Sequence, residues 1–220
     1  MLKAQCIKNG KYVAIKCMKN HFDSLDQVNN LREIQALRRL SPHGNIIKLL
    51  EVLYDQPTGR LALVFELMDM NIYELIRGRR HYVAEDRVKT YLYQLTKSMD
   101  HMHRNGIFHR DIKPENILIS SDGVVKIADF GLSRIIGNET HQTKLTGTHQ
   151  IMGTPRYMAP EQLESSRGVD HRADIYSLGV VFYEMLTGEL PMGYFAAPSK
   201  KVEIDVRLDE VVLRTLEKEP

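Results

Sequence analysis

The sequence predicts an α+β fold, with strands in its first third and mainly helices after. Three observations carry this. Between residues 2 and 65, apolar runs of strand length alternate with turn signals such as Asn9-Gly10. From Val88 the apolar set Val88, Tyr91, Leu92, Leu95, Met99 and Met102 keeps to one helical face. Ile175 to Leu186 is almost wholly apolar yet too short to span a bilayer, so it reads as a helix buried inside a domain. At 220 residues and 43% apolar composition, the chain suits one large domain or two small lobes.

Taken in order, Asn9-Gly10 predicts a type I′ hairpin turn joining strands over 2–8 and 11–18, because both central positions of that turn need positive φ. Lys16 falls in the apolar run Val13-Ala14-Ile15-Lys16, which reads as a strand buried on both faces, so its ammonium needs a partner. Asp23-Ser24 offers N-caps to a helix over Leu25 to Leu40, on which Glu33, by itself a solvated acid beside Arg32, becomes the partner for Lys16 once the motifs below are counted. Ser41 to Asn45 punctuates; Ile46 to Val52 and Leu61 to Phe65 are further strands. Asn105-Gly106 stops the long helix, on which His101 and His103 diverge and read as surface residues. Ile117-Leu118-Ile119 and Val124 to Ile127 flank Ser120-Ser121-Asp122-Gly123 as a second hairpin, which returns Asp129 towards Asn116. Leu208 to Lys218 is a last helix.

Charge and cysteine content narrow the class. A net charge of +2 gives no whole-chain reason to expect nucleic acid or an anionic membrane. Cys6 and Cys17 are too few for a disulfide framework and suit a reducing compartment. The N-terminus lacks the apolar run of a signal peptide. A soluble cytoplasmic protein is expected.

The chemistry concentrates in His109-Arg110-Asp111-Ile112-Lys113-Pro114-Glu115-Asn116, followed by Asp129-Phe130-Gly131. Asp111 and Lys113 suit an attacking hydroxyl, while Asn116 and Asp129 offer hard oxygens to Mg²⁺. Phosphoryl transfer needs an in-line nucleophile, metal ions on the phosphates and positive charge where negative charge gathers. The stretch resembles the protein-kinase signature, and Val13-Ala14-Ile15-Lys16 resembles that family's strand lysine.

That resemblance implies ATP and Mg²⁺ as cofactors and a protein Ser or Thr hydroxyl as acceptor. It makes Asp111, Lys113 and Asn116 catalytic and gives the metal to Asn116 and Asp129. Lys16, fixed by Glu33, aligns the α- and β-phosphates. The adenine lies between Ala14 and Leu118, against a hinge at 66–70 in which the Glu66 and Met68 backbone can bond its edge. One kinase domain over 1–220 follows, with lobes at 1–65 and 71–220 and an activation segment at 129–161. Lys113, with Thr154 opposite, favours serine or threonine over tyrosine. Thr146 and Thr148 are the expected phosphorylation sites, with Arg110 as a phosphate partner. The aspartate at 174 is expected to hold the catalytic loop through backbone N–H groups.

Residues 1–119 resemble the MAPK/MAK/MRK-overlapping kinases, and residues from about 120 resemble bacterial Hanks-type kinases. No G-x-G-x-x-G occurs, and by resemblance the first strand, the Gly-rich loop and an arginine partner for Glu161 are absent. A buried Glu161 without that partner would cost about 3–5 kcal/mol. The alternative expectation is therefore a catalytically impaired nucleotide-binding or scaffold module.

Overall fold

A computed structural model describes residues 1–77, 82–137, 155–164 and 169–217. Strands β1 (Leu2–Gln5), β2 (Tyr12–Cys17), β3 (Leu49–Asp55) and β4 (Arg60–Glu66) form an antiparallel sheet in the order β1-β2-β4-β3. Two short helices, α1 (Leu25–Asn29) and α2 (Arg32–Leu40), lie between β2 and β3. The remainder is mainly helical. α3 (Ile72–Ile76), α4 (Glu85–Arg104), α5 (Pro160–Glu164), α6 (Arg172–Thr187) and α7 (Arg207–Thr215) surround small sheets made by β5 (Met70–Asn71), β6 (Ile107–Phe108), β7 (Ile117–Ile119), β8 (Val125–Ile127) and β9 (Arg134–Ile135). This is the two-lobed α+β arrangement expected, sheet-rich first and helical after.

The local departures have physical causes. Leu25 to Leu40 is two helices, not one. Leu31 is extended (φ −64°, ψ 127°), and the amides of Asn29 and Asn30 accept from Arg38 and Gln35, drawing polar groups into the break. The first hairpin is not a two-residue type I′ turn. Only Gly10 has positive φ there; Asn9 instead accepts from the Lys11 N–H through its side chain. Ile46 only bridges to Ile127, so β3 begins at Leu49, with a bulge between Leu49 and Glu51. Strand β2 is half-buried, not buried on both faces. His101 and His103 are half-buried; the first contacts the Leu40 carbonyl and the second Asp174. Glu161 is half-buried and adds to the negative charge facing Arg172, so the cost of an enclosed orphan carboxylate does not arise.

The core runs continuously from α2 through β4 to α4 and α6. Where α6 meets α7, a Cβ on Gly179 would collide with Thr215 Oγ1 and lie 2.8 Å from Thr215 Cβ. Gly179→Ala is thus expected to destabilise by about 1–3 kcal/mol through overpacking, read as a fall in melting temperature. An unchanged melt would mean that α7 moves aside freely.

Candidate active site

Lys16 projects from β2 towards α2. Its Nζ lies 2.8 and 2.9 Å from the two oxygens of Glu33 and 3.0 Å from Asp129 Oδ1. Glu33 sits in the first turn of α2 and is buried. Burial would lower the Lys16 ammonium, but Glu33 and Asp129 outweigh it and hold it above its ordinary value. Burial likewise pushes the Glu33 carboxyl up against the opposing pull of Lys16. For Asp129 burial again acts upward, and there Lys16 prevails and keeps the carboxyl below its ordinary value.

The loop after β6 is built on one carboxylate. Asp174, in the first turn of α6 and 1% exposed, accepts from the His109 N–H at 2.8 Å and the Arg110 N–H at 2.7 Å, and meets His103 Nε2 at 3.0 Å. His109 Nδ1 accepts from the Asp111 N–H (3.3 Å), so Nε2 carries the proton and donates to the Ala128 carbonyl at 3.0 Å. That bond joins the loop to the residue before Asp129. The Ala128 N–H in turn donates to the Asn116 carbonyl at 2.9 Å. Arg110 and Asp129 both have positive φ (68° and 65°), the only described non-glycine residues that do. Left-handed backbone at such residues persists where the surroundings hold it.

Within the loop, Lys113 Nζ lies 2.8 Å and Asn116 Nδ2 3.0 Å from the same oxygen, Asp111 Oδ2. Among the described residues Asp111 Oδ1 has no such partner, and it can accept a proton. Asn116 commits its amide nitrogen to Asp111, leaving its carbonyl oxygen as a hard ligand. Among the described residues no group of three or more His, Cys, Asp or Glu forms a metal cage. Mg²⁺ does not need one, since one or two protein oxygens plus phosphates and water complete its octahedron. Asn116 and Asp129 fit that requirement.

The remaining expected residues are placed as follows. Ala14 and Leu118 are half-buried and pack against the core edge, Ala14 opposite Phe65 in the sheet and Leu118 opposite Asn71. Met68 lies just beyond β4 and packs on the same core. The Glu66 N–H is already bonded to the Lys48 carbonyl at 3.2 Å, so an edge bond from Glu66 would come from its carbonyl. Thr146, Thr148 and Thr154 lie outside the described residues.

Two features escaped the sequence reading. The Glu66 side chain accepts from the Lys48 N–H and from Lys126 Nζ, both at 2.8 Å, tying the end of β4 to β8. Its signal was Lys126 between buried Val125 and Ile127, the same pattern that marked Lys16. Arg110 is flanked by Arg32 and Arg134, and its Nε is buried without a partner among the described residues. Burial, then those two arginines, pull the Arg110 guanidinium below its ordinary value.

The profile of the protein kinase domain matches residues 2–217. The chain belongs to the protein kinase family. It is 53% identical over 185 residues to the MAPK/MAK/MRK overlapping kinase of Mus musculus, covering 84% of this chain and 42% of that protein. The human counterpart (Homo sapiens) gives 52% over the same length and shares. Serine/threonine-protein kinase ICK of Mus musculus is 37% identical over 187 residues, 85% of this chain and 28% of its own. The match thus spans 42% of the length of the two overlapping kinases and 28% of that of ICK. A match of 185 residues extends past residue 119, and these relatives lend no support to a bacterial likeness for the second half. Among the described residues no helix is long and apolar enough to cross a membrane.

Proposed function

We propose that this chain carries the active site of a serine/threonine protein kinase, moving the γ-phosphoryl group of ATP to a Ser or Thr hydroxyl of a protein. The observation that carries the reading is the convergence of two clusters, Lys16–Glu33–Asp129 and Asp111–Lys113–Asn116. The bonds through Ala128 connect them. Asp111 Oδ1 orients the acceptor hydroxyl and takes its proton. Lys113, already 2.8 Å from Asp111 Oδ2, places positive charge beside the transferring phosphoryl group. Lys16, braced by Glu33, holds the α- and β-phosphates, and Ala14 and Leu118 enclose the adenine. Mg²⁺, when bound by Asn116 and Asp129, neutralises phosphate charge. Free Cys6 and Cys17 suit a reducing cytoplasmic setting.

Arg110, Arg32 and Arg134 form a cationic cluster, and among the described residues Asp174 is the acidic group that acts on Arg110. The cluster suits a phosphate on Thr146 or Thr148.

One experiment tests both readings: transfer of labelled γ-phosphate from Mg-ATP to the chain itself and to a generic basic protein, with Asp111→Asn alongside. Label on Ser or Thr, falling about 10²–10⁴-fold in the variant, is expected, with Thr146 or Thr148 among the sites found by mass spectrometry. Folded protein that binds ATP without transferring label would replace the enzyme with a nucleotide-binding scaffold. Active protein unmodified at both threonines would remove the phosphosite assignment.

A further inference from the structure

Away from these clusters, a groove of ≈ 890 Å³ opens between the last turns of α2, the 41–48 segment and the start of β3. That volume is within the range of real ligand clefts. Its floor is apolar: Leu37, Leu40 and Ile47 are buried, and Leu50, at the bulge of β3, is 46% exposed. β3 is the end strand of its sheet, so one backbone edge lies outside the ladder. An edge of this kind accepts an added extended segment.

Charge selects the occupant. Arg38, Lys48 and Lys126 line the groove against one carboxylate, Glu51. Lys126 is answered by Glu66, whereas Arg38 bonds to the neutral amide oxygen of Asn29. Lys48 is exposed, and among the described residues it forms no ion pair. Arg38 and Lys48, neither in an ion pair among the described residues, therefore outnumber the single groove carboxylate Glu51 around an apolar floor beside the end strand. We propose that this groove docks an extended acidic segment of a partner protein, anchored by a large apolar side chain and laid along β3. The apolar anchor fills the floor over Leu50, main-chain bonds to β3 set its direction, and acidic flanks meet Arg38 and Lys48.

The test begins with a displayed library of random peptides of about twelve residues, selected on the full chain. The enriched sequences are then synthesised with a fluorescent label and titrated by polarisation. Lys48→Glu and Leu50→Asp are compared with the parent chain, each checked for native circular dichroism. Enrichment of acidic peptides with a large apolar residue is expected, with affinity falling about tenfold or more in each variant and weakening with added salt. Absence of such peptides, or binding that neither variant changes, would overturn the proposal. Equal binding of polyglutamate or an oligonucleotide would overturn it too, reducing the groove to a nonspecific polyanion surface.

Discussion

Asp129→Asn is expected to remove phosphoryl transfer by at least about 10²–10³-fold, the loss typical of one misplaced electrostatic group at a reacting centre, while leaving the fold standing. The asymmetry follows from where the carboxylate sits. Its side chain is 48% exposed, so the 3.0 Å pair with Lys16 is screened, and its share of stability is about 1 kcal/mol or less. Lys16 keeps both oxygens of Glu33. The amide keeps an oxygen for Lys16 but loses the negative charge that, beside the neutral amide of Asn116, is the site's own contribution to holding a divalent cation. Acid titration gives a second readout. Asp129 is held below its ordinary value of 3.8 because Lys16 outweighs burial. A carboxyl with lowered folded-state pKa contributes stability that is present above its unfolded value and is lost as pH falls through the folded one. The small gap in melting temperature between parent and variant should therefore close in that acidic window. A variant that transfers phosphate at the parent rate would take Asp129 out of the metal site. One that fails to fold at neutral pH would make Asp129 a structural residue instead.

How much of this was legible in the sequence depended on whether the signal was local. Asp111, Lys113 and Asn116 lie within six residues, and their fixed spacing sets which side chains meet. Lys16 could be matched to Glu33 because a lysine among apolar strand residues needs an acid and the kinase-like motifs around it singled out the one on the next helix; that Glu33 stands in the first turn of α2 appears only in the structure. Contacts across long stretches of chain left no such trace. His103 and Asp174 are 71 residues apart and Lys126 and Glu66 are 60 apart, and no periodicity of either helix or strand predicts that they touch. That is why His103 read as a surface residue. Backbone detail failed for a different reason. Asn9 and the Asn29-Asn30 pair can bond the chain or one another through their side chains, and the outcome at each depends on neighbours such as Lys11 and Arg38. The apolar helix of α6 was plain, but the need for Gly179 facing Thr215 appears only once α7 is docked.

Asp174→Ala should produce the largest combined effect on stability and activity, from a residue that touches no substrate. Its carboxylate is almost fully enclosed and serves the His109 N–H, the Arg110 N–H and His103 Nε2 at once. Alanine leaves two backbone donors without an acceptor in a buried setting, at about 1–3 kcal/mol each. A total of about 3 kcal/mol or more corresponds to a melting temperature lower by roughly 6–12 °C for a chain of this size. The activity loss has a separate cause. Arg110 has φ 68°, a conformation unfavourable to a side-chain-bearing residue, and its N–H bond to Asp174 at 2.7 Å is what fixes it there. Once released, Arg110 relaxes and carries Asp111 with it. A displacement of about 1 Å at a reacting group costs on the order of 10²-fold. Single-turnover transfer at a temperature where the variant is fully folded separates the two effects. Normal transfer there, together with a lowered melting point, would confine Asp174 to holding α6 against the loop. Loss of transfer in folded protein would show that the backbone geometry at Arg110 is itself part of the catalytic arrangement.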